Sequence, residues 1–270
     1  MTTRELLFSA WDPGLVVPIL CGVALGAYAV HFRRRLDGRA AFFVFAIGLF
    51  FLALASPIGV LARGYLFSAH MLQHLLLVLA VPPLVLLGLP RERGSAADPQ
   101  EWGAVRTIAP WLAGVGAMWI WHARTLCNAA AVSATVQALQ TVSLVTMGLA
   151  FWRPILAPRP SDRLPVFSAA LYLFAACVGC TVLGVVVTLS PVEVCSAYRA
   201  PVDSLGVMPL LRGGWGLSCR ADQQLGGLLM WVPTCFVYAA AILTILGRHY
   251  AEERPSGDKR RSPQHAGGMR

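Results

Sequence analysis

Tyr65–Pro90 reads YLFSAHMLQHLLLVLAVPPLVLLGLP, and this stretch decides what kind of protein the chain is. About twenty apolar residues cross a bilayer as a helix, and this run has that length. It also carries His70 and His74 near its start. On a helix of about 3.6 residues per turn, positions four apart share a face, so the two imidazoles stack and point the same way. An imidazole at membrane depth is costly unless it faces protein, water or a bound ion, which makes the pair a functional candidate.

The rest of the chain agrees with that reading. Of 270 residues, 57% are hydrophobic and 13% charged, too apolar for a soluble domain of this length, so the composition predicts an integral membrane protein. The first apolar run, Leu15–Val30, has no basic segment before it and no small-residue cleavage site after it, and reads as a retained span. The net charge of +9 does not point to nucleic acid. Its basic residues lie in short segments between apolar runs, where the positive-inside rule accounts for them. Apolar runs of spanning length occur at 14–32, 40–61, 66–89, 106–122, 133–152, 164–189 and 224–247. The expected fold is all-α, a bundle of seven transmembrane helices.

Arginine placement orients the bundle. Arg33, Arg34, Arg35 and Arg39 follow the first span, Arg91, Arg93 and Arg106 the third, and Arg153, Arg159 and Arg163 the fifth. The segment after the seventh is basic as well, whereas the opposite side holds only Arg4, Arg63, Arg124, Arg199, Arg212 and Arg220. This predicts the N-terminus outside and the C-terminus inside. Residues 1–247 then form the membrane domain, with 191–223 as an irregular outer cap. Residues 248–270, rich in charge, Pro and Gly, read as a disordered cytoplasmic tail. Pro82, Pro83 and Pro233 lie inside spans, where each removes a backbone donor and favours a kink.

This topology gathers the polar side chains in the outer third. His70 and His74 open the third span, and His122, in WIWH, closes the fourth at the same level. The fifth enters with Gln137, Gln140 and Thr141, spaced to share a face, and the seventh opens with Asp222, Gln223 and Gln224, followed by Met230.

Several of these runs together resemble a known family. SAHMLQHLLL at Ser68–Leu77 with the following VPPLVLLGLP, Trp121–His122 with its NAA, FWRPIL at Phe151–Leu156 and DQQLGGLLMWVP at Asp222–Pro233 look like the CtaG family of bacterial cytochrome c oxidase assembly factors. The resemblance covers most of the chain from the second span to the seventh. It implies a non-enzymatic, multi-pass inner-membrane protein that helps mature an aa-type oxidase. Copper, as Cu(I), would pass to the haem–copper centre of subunit I through His70, His74 and His122. The partners implied are oxidase subunit I, copper-donor proteins and membrane lipid. The chain also departs from the family. After the WH, where the family continues with a Pro and then a Tyr-Asp pair, it has Arg124, Cys127 and Asn128. On the fifth span, where the family carries a His and then a Glu-His pair, it has Gln137, Gln140 and Thr141. Amides and hydroxyls are poor ligands for Cu(I), which prefers imidazole, thiolate and thioether.

Each candidate also has a plain structural reading. His70 and His74 could be packed, hydrogen-bonded histidines, and His122 beside Trp119 and Trp121 suits an aromatic interface belt. Met71, about 100° around the helix from His70, and Met230 fit as core fillers, kept as accessory candidates because thioether suits Cu(I). Asp222 reads either as a first-turn acid of its own helix or as a site residue, with Gln140 beside it as a further accessory candidate. Cys177 and Cys180, in CVGC, read as buried small residues or as a soft-metal relay. Cys195 and Cys219 both fall outside and could form a disulfide, with Cys127 as a competitor. No nucleophile–base–orienter constellation and no HExxH helix is present, so catalysis is not expected. Two other readings stand beside copper delivery: a metal-free assembly scaffold, and a haem-handling or small-solute transport protein.

Overall fold

A computed structural model describes residues 2–32, 37–91 and 103–253. Thr2 opens α1 (Thr3–Ser9) with a capping box, its hydroxyl accepting from the Glu5 N–H while the Glu5 carboxylate accepts from the Thr2 N–H. Two apolar helices follow, α2 (Val16–Phe32) and α3 (Ala40–Ala55). The expected span 40–61 is broken at Ser56, whose hydroxyl accepts from the Ile58 N–H and starts α4 (Pro57–Ala62). Pro57 sits in the first turn of α4, where its missing N–H costs nothing. Gly64, at φ 92°, turns the chain into α5 (Phe67–Leu75), a backbone state that side-chain-bearing residues rarely adopt.

A π turn at Leu76–Ala80 joins α5 to α6 (Val81–Gly88). Pro82 has no N–H, so the carbonyl of Val78 one turn earlier loses its helical donor. The Trp152 indole N–H takes that place, donating to Val78 O at 3.1 Å. The proline kink is thereby sealed by a side chain from another helix rather than left unpaired at membrane depth. The remaining elements are α7 (Ala104–Trp121), a short helix α8 (Arg124–Val132), α9 (Ala134–Leu156), α10 (Val166–Leu189) and α11 (Cys219–Glu253). The segment between α10 and α11, expected to form the outer cap, carries one 3-10 turn, Ser196–Tyr198, and one π turn, Pro209–Gly214. No strand occurs among the described residues.

The all-α class expected from the sequence therefore holds. Among the described residues, four helices are long and apolar enough to cross a membrane: the continuous Phe67–Gly88, Ala134–Leu156, Val166–Leu189 and Cys219–Glu252. Val16–Phe32 and Ala40–Ala55 are apolar but shorter, so length and composition single out four spans where the sequence suggested seven. Leu171, Phe174, Val178, Val182 and Val186 form an exposed apolar stripe at helical spacing down α10, as a lipid-facing helix requires. The expected tail boundary at 248 moves, because α11 continues to Glu253. The rest of that tail, 254–270, lies outside the described residues, as do Arg33, Arg34, Arg35 and Arg93.

α11 lies along α10 and against α5, and the GG of DQQLGGLL makes both approaches possible. A Cβ on Gly226 would stand 2.5 Å from the Phe67 ring, and one on Gly227 would run into Thr188. At the end of the bundle farthest from the histidines, Arg163 is pushed below the usual arginine range by burial and by the nearby guanidiniums of Arg91, Arg39 and Arg248. The arginines that follow alternate spans in sequence thus meet at one end in space.

Candidate functional site

The site is built on α5, and α5 is capped from elsewhere. Leu66 at its N-cap offers no side-chain acceptor. The Asp222 carboxylate of α11 supplies one, with Oδ2 accepting from the Phe67 N–H at 2.8 Å and Oδ1 from the Ser68 N–H at 3.0 Å and hydroxyl at 2.6 Å. Asp222 is in the first turn of α11, as expected, but its carboxylate serves the partner helix. The negative charge complements the positive end of the α5 dipole.

One turn further on, His70 and His74 adjoin with ring centroids 4.2 Å apart and their planes tilted by 54°. Both are 1% exposed, and among the described residues none of their four ring nitrogens has a hydrogen-bond partner of good geometry, the Gln140 side chain being the polar group that approaches His74. His122, the C-cap of α7, stands edge-on to His74 at 5.7 Å, so the three imidazoles from two helices adjoin as the topology implied. Tyr198 of the outer segment lies 5.7 Å from the His70 ring and donates its hydroxyl to Ala62 O at 2.9 Å. Nothing in the sequence marked Tyr198, because its position depends on how an irregular segment folds back.

The His122 ring is partnered on one side only in the ordinary sense. Nδ1 is 2.6 Å from the Met118 carbonyl, which can only accept, so Nδ1 carries the proton. In the neutral ring Nε2 then presents a lone pair, and it faces the Met71 sulfur, itself a lone-pair donor, at 3.1 Å. Two soft electron-pair donors turned toward each other form half of a metal site or a contact that repels. Met71 is core, as its position around the helix from His70 suggested, and also touches the site through His122. Met230 is buried in the same cluster and lines a small internal cavity with Met71, Met118, His74, Cys180 and Thr234.

The fifth-span residues do not share a face toward the histidines. Gln140 is 1% exposed and approaches His74, yet its Nε2 has no hydrogen-bond partner. Thr141 donates to the Gln137 carbonyl, and both residues line a separate groove with Gln73 and residues of α2 and α3. Steps of three and four residues diverge around a helix, and the packing of α9 selects position 140 alone.

Arg124 and Asn128, which depart from the family pattern, hold the outer segment down. Arg124 donates to Glu193 O at 2.9 Å, and Asn128 Oδ1 accepts from the Ala197 N–H at 2.8 Å and the Ser196 hydroxyl at 3.3 Å. Gln223 does the same from α11, accepting from the Val194 N–H at 2.9 Å and donating to Val187 O at 3.2 Å. The disulfide considered for Cys195 and Cys219 is not formed. Both are free thiols, and Cys195 is instead in contact with Cys127. Cys177 of CVGC meets Cys235 across α10 and α11 at 3.1 Å rather than pairing with Cys180. Among the described residues, no group of three or more His, Cys, Asp or Glu side chains is arranged to hold a metal ion.

A family model described as the cytochrome c oxidase caa3 assembly factor, Caa3_CtaG, matches residues 24–252. The chain belongs to that family. The match runs from within α2 to the last turn of α11, so it takes in every helix that contributes to the histidine cluster and the Asp222 cap. No curated protein and no solved structure matches the chain. For a CtaG-family assembly factor, association with cytochrome c oxidase follows from the family itself.

Proposed function

We propose that this CtaG-family protein serves oxidase assembly by holding Cu(I) as cargo at the outer end of its bundle and releasing it toward the haem–copper centre of subunit I. The observation that carries the reading is the set of buried, unpartnered imidazole nitrogens on His70 and His74, beside a His122 whose Nε2 lone pair faces Met71 Sδ. A buried polar group without a partner costs about 1–3 kcal/mol, and an adjoining pair of such rings concentrates that cost in one place. A soft cation relieves it by taking the lone pairs. Since no three-ligand His, Cys, Asp or Glu group exists among the described residues, the ion would sit in low coordination, on imidazoles helped by thioether. Cu(I) accepts such sites, and a loosely held ion suits a protein that must give it away. Within the same reading, α2, α3 and α7 complete a seven-span bundle in the inner membrane, its basic end inside and its histidines outside.

The test is a competition titration of detergent-purified protein against a chromophoric Cu(I) chelator. The native chain should withhold copper, and His70→Ala/His74→Ala should weaken that binding at least about tenfold. Equal binding by both proteins would remove the histidines as ligands. The missing three-ligand group favours a second reading, in which the chain is a metal-free scaffold for the oxidase. Under it, the double variant would still mature the oxidase in cells.

A further inference from the structure

Cys127 comes from α8 and Cys195 from the segment between α10 and α11, far apart in sequence, yet their side chains meet in one buried cluster. Both are buried, at 0% and 5% exposure. Asn128 holds the Cys195 side in place, since its Oδ1 accepts from the Cys195 thiol at 3.6 Å as well as from the Ala197 N–H. The two cysteines belong to one buried cluster with Met71, Met230 and Tyr198, and Met71 Sδ in turn reaches His122. On the other side Cys195 lines a small pocket in the outer segment with Cys219, Glu193, Arg199 and Asp222. Sulfur donors therefore run from that outer pocket inward to the imidazoles.

We propose that Cys127 and Cys195 form a second Cu(I) site, a two-coordinate dithiolate between the outer pocket and the histidines, which receives the ion first. For its cargo it rests on the copper reading of the histidine cluster, but not on those histidines as ligands. Thiolate is the preferred ligand of Cu(I), and two sulfurs suffice because this closed-shell ion accepts linear coordination. Binding breaks two S–H bonds and makes two Cu–S bonds, with both protons passing to water. Copper stays Cu(I), and no electrons are exchanged. The Met71 thioether, in the same cluster as the pair and in contact with His122, offers the ion an intermediate donor on the way in.

The experiment loads the full chain with Cu(I) in detergent, under anaerobic conditions, as three proteins: native, Cys127→Ala/Cys195→Ala and His70→Ala/His74→Ala. Bound copper is counted, and its ligands are read from the thiolate-to-copper charge-transfer band and from X-ray absorption. The cysteine variant should lose one copper equivalent together with that band, while keeping copper on imidazole. The histidine variant should keep the band and a sulfur-only copper environment. A cysteine variant that binds as much copper with the same band overturns the dithiolate site. So does a Cys127–Cys195 disulfide found by mass spectrometry of unreduced protein from membranes. If the cysteine variant does not fold, the histidine variant decides alone: thiolate-bound copper supports the site and its absence overturns it. A band retained with no copper lost in the histidine variant defeats only the histidine reading. A band absent from every protein, with imidazole-bound copper still present, defeats only the dithiolate.

Discussion

The Asp222 carboxylate caps a helix that is not its own, accepting the Ser68 hydroxyl at 2.6 Å and the Ser68 N–H at 3.0 Å while α11 continues away from it. The same carboxylate takes the Phe67 N–H at 2.8 Å. Three bonds to a 1% exposed charge fix the start of α5 relative to α11, and His70 follows within one turn. The cap is thus the element that sets where the imidazoles stand against α7 and the outer segment.

Asp222→Ala should remove all three acceptors and leave the Phe67 and Ser68 donors buried. The expected loss is on the order of 2 kcal/mol or more, since hydrogen bonds to a charged group and a helix cap are removed together. Asp222→Asn, which keeps one carbonyl oxygen, should cost less. Thermal unfolding in detergent gives the ranking, and hydrogen exchange at Phe67 and Ser68 should rise in step with it. Unchanged exchange at those two amides in the alanine variant would contradict the cap.

Position 140, not 141, looks at His74, so an imidazole introduced at one position or the other should behave differently. Gln140→His places an imidazole beside His74 and should tighten Cu(I) binding about tenfold, whereas Thr141→His enters the groove shared with Gln137 and should leave affinity unchanged. The gain at 140 should vanish in a His70→Ala/His74→Ala background. A chelator titration that finds the two single variants alike would contradict this orientation of α9.

Trp152→Phe should destabilise the bundle at the proline kink. The ring volume is partly kept, but Val78 O loses the indole donor, and Pro82 has none to offer in its place. An unmet carbonyl at this depth costs about 1–3 kcal/mol. A fall in thermal stability larger than that of Trp111→Phe, whose partly exposed indole donates to Tyr172 O, is the expected result.

The orientation is tested with a reporter fused after Arg270. Arg39, Arg91, Arg163 and Arg248 crowd one end of the bundle, and the positive-inside rule puts that end in the cytoplasm. A reporter active only in the periplasm should stay silent, and activity there would invert the bundle.

By itself the sequence determined the membrane class, the all-α fold and the neighbourhood of the histidines. Each of these depends on short-range quantities: the length of an apolar run, the spacing of His70 and His74 along one helix, the position of His122 at the end of another. It also determined that Asp222, Gln140 and the histidines belong to one end of the molecule, because alternating spans leave little choice. Only the tertiary structure decided what those residues do to one another. The break at Ser56 and the π turn before Pro82 come from local capping and proline chemistry competing with an otherwise continuous apolar run. Asp222 capping α5, Cys195 meeting Cys127 rather than Cys219, and Gln140 turning inward while Thr141 turns away are long-range pairings. Helical periodicity fixes angles within a helix, but the rotation of one helix against its neighbours is set by packing, here by Gly226 and Gly227 letting α11 close on α5 and α10.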